Sequence, residues 1–267
     1  EFATYLVDRG AALEVRDNRG LTPLAAAARE AQTPIVQYLL KAGSRVDARD
    51  YAGSTPLYQA VETGKLDLIR VLVHADADIL ARNAANDYPL LSAIKKGMTV
   101  LREVLGERSV DKPNADGKTP LRLLVEAKAS PDMLALALGA GADPSSRDRY
   151  ATTPLHAALE MKDYAAAGIL LAAHADPFAP NYQGVTPAAM ALADPAGTKD
   201  FVLAAGLGAA DALGEGFLHY AVRTGKAETV KLILSLGVDR AAKNVSGETA
   251  LDVAKAKGDA AILALFQ

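Results

Sequence analysis

The sequence predicts an all-α solenoid of about eight repeats, and three observations carry that reading. One short pattern returns along the whole length. A proline follows Thr22, Thr55, Tyr88, Thr119, Thr153 and Thr186 as Pro23, Pro56, Pro89, Pro120, Pro154 and Pro187, and the series continues without proline at Phe217 and Ala250. The spacings of 33, 33, 31, 34, 33, 30 and 33 residues are too regular for accident and too long for a coiled coil. The pattern itself is helix-start chemistry. A Thr hydroxyl accepts from an unpaired backbone N–H, Pro at the first helical position loses a donor that had no partner, and Leu turns to the core. Apolar residues at helical spacing then follow each start.

Just upstream, Gly20, Gly53, Gly117, Gly184, Gly214 and Gly247 share one repeat position, where a tight turn needs positive φ. Asn86 and Ala151 replace glycine there. Asn tolerates the conformation, whereas Ala151 would cost about 1–2 kcal/mol if the turn were kept, so a distorted turn is expected at Ala151. The chain resembles the ankyrin-repeat family: Thr153-Pro154-Leu155-His156-Ala157-Ala158 matches its T-P-L-H-x-A pattern in full, and eight units stand in register. The resemblance implies a turn or β-hairpin finger plus two antiparallel helices per repeat, stacked into a curved array. It also implies protein–protein recognition without catalysis. The expected organisation is one domain over 1–267, with a partial repeat over 1–13 and repeats starting near 17, 50, 83, 114, 148, 181, 211 and 244.

Taken in order, Phe2 to Gly10 reads as the second helix of a repeat whose first half lies outside this sequence, so a further repeat, a leader or another domain is expected ahead of it. In the first full repeat Leu24 and Ala27 face inward, Thr33-Pro34 starts the second helix, and Ile35, Val36, Leu39 and Leu40 form its stripe. In the second, Leu57 and Ala60 lie inside, with Leu66, Leu68, Ile69, Leu72 and Val73 as the stripe. Asp76 and His174 fall where Gly43 stops its helix and are expected to replace it in the left-handed region. In the third repeat Tyr88 stands where Thr should cap, with Asp87 as a replacement acceptor, and a tightened turn is expected between Val110 and Asn114.

The fourth repeat has Leu124 where Ala27, Ala60, Ala93, Ala158, Ala191, Ala221 and Ala254 recur, so Leu124 should push the helix pair apart or fill a gap. Ser130-Pro131 starts its second helix, which closes at Gly139 or Gly141. In the sixth repeat Asp194-Pro195-Ala196-Gly197 is expected to be a loop, because the residue before proline avoids the helical region. Thr198 would then cap the next helix, with Phe201, Val202 and Leu203 packing. The spacing of 30 to the seventh repeat removes three residues of linker. In the seventh repeat Leu218 and Ala221 lie inside with Val230, Leu232, Ile233 and Leu234. The eighth ends on Ile262, Leu263, Leu265 and Phe266, an apolar finish with little polar cap.

Hydrophobic content of 50% with 5% aromatics and no Trp reflects Ala and Leu, as close-packed helices require. A net charge of −3 and the lack of a basic stripe argue against nucleic acid, and no run is long and apolar enough to span a membrane. The absence of Cys removes disulfides, thiolate catalysis and Cys-ligated metals. It suits a cytoplasmic, periplasmic or secreted protein equally, and with the heavy use of Ala it leans to a bacterial source. No metal or cofactor is expected. His156 and His219 share one repeat position two units apart, roughly 20 Å by the spacing of packed helices, too far for a common metal. The resemblance implies that each bonds the neighbouring finger. His74 and His174 sit at helix ends. Gly64-Lys65 and Gly225-Lys226 lack the rest of a phosphate loop. Asn244-Val245-Ser246 is a glycosylation sequon at a finger.

The surface the repeat does not need for itself flanks the finger glycine and the end of the first helix, positions that line the concave binding face in the resembled family. The partner-binding candidates are Arg19, Arg29, Tyr51, Glu62, Lys95, Lys96, Lys118, Glu126, Arg149, Tyr150, Glu160, Met161, Tyr182, Gln183 and Arg223. Neighbouring positions counted as free of the core include Leu21, Ser54, Asp87, Thr152, Val185, Leu213 and Glu215. Tyr51, Tyr150 and Tyr182 stand out as anchors, because aromatic residues at finger tips serve no core. The expected function is a monomeric, non-catalytic module that holds a folded protein partner on a preorganised surface ~60–70 Å long, sequestering or inhibiting an enzyme or serving as a scaffold. The competing expectation is the recognition arm of a larger enzyme or effector.

Overall fold

The computed structural model describes residues 8–106 and 110–267, so most of the half repeat expected over 1–13 lies outside the described residues. The chain divides into two compact units, Glu1–Asp143 and Pro144–Gln267. The first unit carries α1 (Pro23–Arg29), α2 (Thr33–Lys41), α3 (Pro56–Thr63), α4 (Leu66–His74), α5 (Pro89–Lys96), α6 (Met98–Leu105), α7 (Pro120–Glu126) and α8 (Pro131–Gly139). The second carries α9 (Pro154–Glu160), α10 (Tyr164–Ala172), α11 (Pro187–Ala193), α12 (Pro195–Ala205), α13 (Phe217–Thr224), α14 (Ala227–Ser235), α15 (Ala250–Lys257) and α16 (Ala260–Ala264). Among the described residues there is no extended strand. Two isolated antiparallel bridges, Ala210 with Gly216 and Lys243 with Thr249, close the bases of the last two fingers.

Each repeat is built from its motif. The hydroxyls of Thr22, Thr55, Thr153, Thr186 and Thr249 accept from the N–H three residues on, at 3.1–3.4 Å. The Leu behind the proline is fully buried at Leu24, Leu57, Leu90, Leu121 and Leu155. Each such burial stabilises by roughly 1.5–3 kcal/mol. The small-residue row Ala60, Ala93, Ala158, Ala191, Ala221 and Ala254 is buried too, which lets the helices of a repeat and of its neighbour approach closely. In the first unit α1, α3 and α5 stack as one layer and α2, α4, α6 and α8 as another. In the second, α9, α11, α13 and α15 stack, backed by α10, α12, α14 and α16. Leu124 is fully buried and occupies the interior of its repeat. Asp76 and His174 take φ of 69° and 65°, the left-handed helix stops expected of them.

Several local expectations are corrected. The turn at Ala151 is kept, at φ 58°. The Asp148 carboxylate accepts from the N–H of Tyr150 and Thr152 at 2.9 and 2.8 Å, and the Ala151 N–H reaches the Asp148 carbonyl at 2.9 Å. At about 1 kcal/mol net each, these bonds offset the cost of a left-handed alanine. Residues 194–197 are not a loop: α12 begins at Pro195 with Asp194 as its cap, accepting from the Ala196 N–H at 3.1 Å. The restriction imposed by proline falls on Asp194 alone, whose extended backbone is what a cap needs. Thr198 therefore lies inside the helix and caps nothing. Its hydroxyl is shared between the Ala191 and Asp194 carbonyls at 2.8 and 2.9 Å.

Leu203 is exposed while Phe201 and Val202 are buried, since three successive residues of a helix cannot all face one side. Asp87 does not cap α5. It accepts from the N–H of Tyr88 and pairs with Lys95, each at 2.9 Å.

Candidate functional site

The fingers are built by one residue that the sequence reading passed over. Three residues before each turn stands Asp17, Asp50, Asn83, Asn114, Asp148, Asn181, Asp211 or Asn244, and its side-chain oxygen accepts from the N–H four residues on, at 2.8–3.0 Å in every finger. The eightfold return of Asp or Asn at this offset was the available signal. That bond draws the residue after the turn inward. Leu21, Ser54, Thr152 and Glu215, counted as free of the core, are in fact buried.

Four pairs of neighbouring fingers are joined by single backbone bonds: Tyr51 N–H to the Arg19 carbonyl (3.0 Å) and Ala84 to Ala52 (2.9 Å) in the first unit, Tyr182 to Tyr150 (3.1 Å) and Val245 to Leu213 (2.8 Å) in the second. These bonds hold the tips in a fixed register. In the second unit the row carries large apolar side chains left in solvent: Tyr150 is 58% exposed, Tyr182 78%, Leu213 58% and Val245 72%. The Arg149 guanidinium lies 5.0 Å from the centre of the Tyr150 ring. In the first unit Tyr51 is 72% exposed, but one side of it covers the neighbouring finger. A β-carbon on Gly20 would meet the Tyr51 ring at 2.6 Å, so Gly20 is required there. Leu213 and Val245 were absent from the expected anchors because neither is aromatic.

Many of the charged candidates are engaged with the protein itself. Arg19 faces Asp17 and Arg29 faces Glu30 at 3.8 and 3.9 Å. Glu62 accepts from the Ser92 hydroxyl at 2.8 Å and pairs with Lys96 at 3.4 Å. Lys95 pairs with Asp87. Lys118 and Arg122 converge on Glu126, each at 2.9 Å, and Arg223 is paired with the buried Glu215. Glu215 raises the Arg223 pKa, first by hydrogen bonding. Glu160 and Gln183 are exposed and Met161 is half-buried. The lysines also follow a rule. Lys65, Lys96 and Lys226 reach back to the carbonyls of Ala31, Glu62 and Ala193 at 2.9–3.0 Å, where the preceding repeat's first helix ends and its dipole is negative. Lys96 is thus a staple between repeats.

The histidines behave as the resemblance implies. His156 Nδ1 accepts from the Thr153 N–H at 3.1 Å, which places the proton on Nε2, and Nε2–H donates to the Val185 carbonyl at 3.1 Å. His219 repeats this with Gly216 at 3.3 Å and Glu248 at 3.2 Å. His74 and His174 are exposed. Among the described residues no group of His, Asp or Glu is placed to hold a metal, and no helix is long and apolar enough to cross a membrane. The sequon asparagine, Asn244, is buried, and its amide nitrogen donates to Glu215 and Glu248 at 3.4 and 3.2 Å, so it is not presented to a transferase. Tyr88 and Tyr220 have pKa values pushed up to about 12, chiefly by burial, with Glu126 acting next on the first and the Asp211 hydrogen bond on the second.

Comparison with known proteins agrees with this geometry. The family described as ankyrin repeats (3 copies) matches residues 1–83, and the single ankyrin repeat matches residues 214–245. The B-cell lymphoma 3 protein homolog of Mus musculus is 34% identical over 164 residues, which is 58% of this chain and 36% of that protein. The matched span is therefore about a third of that relative's length. The crystal structure of the ankyrin repeat domain of Bcl-3, described as a unique member of the IkappaB protein family, superposes with a TM-score of 0.52 at 24% identity, covering 93% of this chain and 99% of that one. This likeness concerns the fold. With the motif, the Asx-built fingers and the stacked helix pairs, these matches show ankyrin repeats over residues 1–83 and 214–245 and the ankyrin-repeat fold in this chain.

Proposed function

We propose that this chain is a non-catalytic protein-interaction module that binds a folded partner through the finger tips and first-helix ends, with the row Tyr150, Tyr182, Leu213 and Val245 of the second unit as its centre. The observation that carries this reading is the exposure of four large apolar side chains at successive finger tips, Tyr182 bonded through its backbone to Tyr150 and Val245 to Leu213. The fold uses none of them for its core, and aromatic or apolar anchors on a rigid surface bind with little ordering entropy lost. The charged candidates, Arg149 and Glu160 among them, form a rim that sets orientation more than affinity. Sequestering or inhibiting an enzyme is one use of such a surface, and scaffolding is the other.

Affinity capture from the source organism's extract tests this, comparing wild type with the combined Tyr150→Ser, Tyr182→Ser, Leu213→Ser, Val245→Ser variant after circular dichroism has shown both to be folded. A protein retained by wild type and lost by the variant is expected. Equal retention by both would remove the finger row as the site.

A further inference from the structure

We infer that the cavity between the sixth and seventh fingers is a subsite for an arginine side chain of the protein partner, a step that rests on the protein-binding reading above. The cavity has a cause in the sequence. The spacing from Pro187 to Phe217 is 30 residues where 33 is usual, and the linker before finger seven is shortened to Gly206–Ala210. That linker offers Ala209 and Ala210, whereas the linker before finger six supplies Phe178. The space left open is about 390 Å³, within the range of small-ligand sites.

Its walls are Phe178, Pro180, Leu213 and Tyr220, and its acidic groups are Asp176 and Asp211. Phe178 is held by ring contacts to Phe217 and Tyr220, both with centroids 5.2 Å apart, so the aromatic wall is already fixed. No lysine or arginine is among the lining residues, and Arg147 donates to the Pro180 carbonyl at 3.3 Å. A planar cation on a flexible apolar stem matches aromatic walls with carboxylates beside them, and guanidinium stacks on rings better than ammonium. Leu213 belongs both to this cavity and to the exposed finger row, so a side chain from a partner seated on the row enters here.

The negative charge is not needed for the finger turns. Asp211 accepts from the N–H of Leu213 and Glu215 through one oxygen, each at 2.9 Å, and from the Tyr220 hydroxyl through the other at 3.0 Å. Neutral Asn83, Asn114, Asn181 and Asn244 make the same two bonds in their own fingers. Asp176 accepts from the Phe178 N–H at 2.8 Å, a bond an asparagine also makes. An asparagine at either position keeps these backbone bonds, so the charge can be removed with the finger turns intact, at the cost in Asp211 of the bond from the Tyr220 hydroxyl.

The test is an NMR titration of the whole chain with N-acetyl-arginine methylamide, read at the amides of Gly184, Ala212 and Leu213, against the neutral citrulline analogue. Saturable shifts are expected with the arginine probe, at least five-fold weaker with citrulline and at least five-fold weaker in Asp176→Asn/Asp211→Asn, which should keep the wild-type circular dichroism. No saturable shift, or equal response to arginine and citrulline, overturns the subsite. The Tyr150→Ser/Tyr182→Ser variant should leave this titration unchanged while weakening capture of the partner. An arginine response with capture insensitive to that variant overturns the finger-row reading and leaves the subsite standing. Capture lost with no arginine response does the reverse.

Discussion

The Nε2–H of His156 donates to the backbone carbonyl of Val185, 29 residues further on, so one side chain closes its own helix start and ties its repeat to the next finger. Val185 belongs to the finger whose tip is Tyr182, so the bond also helps fix the proposed binding row. His156 is fully buried, and nothing else reaches its place. His156→Ala leaves the Thr153 N–H unpaired, takes from the Val185 carbonyl one of its two donors, the Asn181 N–H remaining, and opens a cavity. The expected loss is about 2–4 kcal/mol, read as a fall in the urea midpoint. A loss under half a kcal/mol would mean the bond is not formed in solution.

Lys128 occupies the junction between α7 and α8 with φ of 51°, where Gly64, Gly225 and Gly258 do the same work in other repeats at 70–72°. Its side chain is exposed. Lys128→Gly relieves a left-handed side chain at some entropic cost, and a net stabilisation of about 0.5–1 kcal/mol is expected. Thermal or urea denaturation decides it, and a destabilised variant would count against the backbone conformation.

Gly197 lies under the Tyr164 ring, and a β-carbon there would come within 1.8 Å of it. Gly197→Ala must therefore displace Tyr164 from Asp194, to which its hydroxyl donates at 2.6 Å. The expected cost is about 1–3 kcal/mol in the wild-type background and much less beside Tyr164→Ala. A double-mutant cycle measures the difference, and additivity of the two changes would exclude the contact.

Asp194 has a pKa held down at about 2, first by the Tyr164 hydroxyl, then by Lys162 and the Ala196 N–H, while the same hydrogen bond pushes Tyr164 up to about 12. For the depressed carboxylate, the contribution to stability is full above the unfolded value near 3.8 and fades as pH falls toward 2. For the raised phenol, the contribution is full below 10 and fades as pH rises toward 12. A carbon-13 titration of the Asp194 carboxyl should return a pKa well under 3.8 in wild type and move upward in Tyr164→Phe. Identical titrations would show the hydroxyl bond to be absent.

What was legible in the sequence was everything that repeats. A returning Thr-Pro-Leu fixes helix starts through local hydrogen bonding and backbone restriction, which act within four residues and so can be read from the chain alone. The inward rows at Leu24 and Ala60, the left-handed stops at Asp76 and His174, and the histidine links follow from the same register. The structure decided which of two competing local signals prevails. Ala151 keeps its turn because the bonds made by Asp148 outweigh local strain. Proline 195 opens a helix because Asp194 alone absorbs the restriction it imposes.

The candidate site divides in the same way. Tyr150 and Tyr182 were visible as aromatic residues with no place in a core and Leu213 as a finger residue free of it, whereas Val245 joined them only in the folded structure. Lys96 was removed from the free surface by a partner 34 residues distant, and Lys118 and Arg223 by partners 8 residues distant. Local chemistry is written within one turn of chain. Which polar groups are already occupied is settled only by the packing that brings distant residues together.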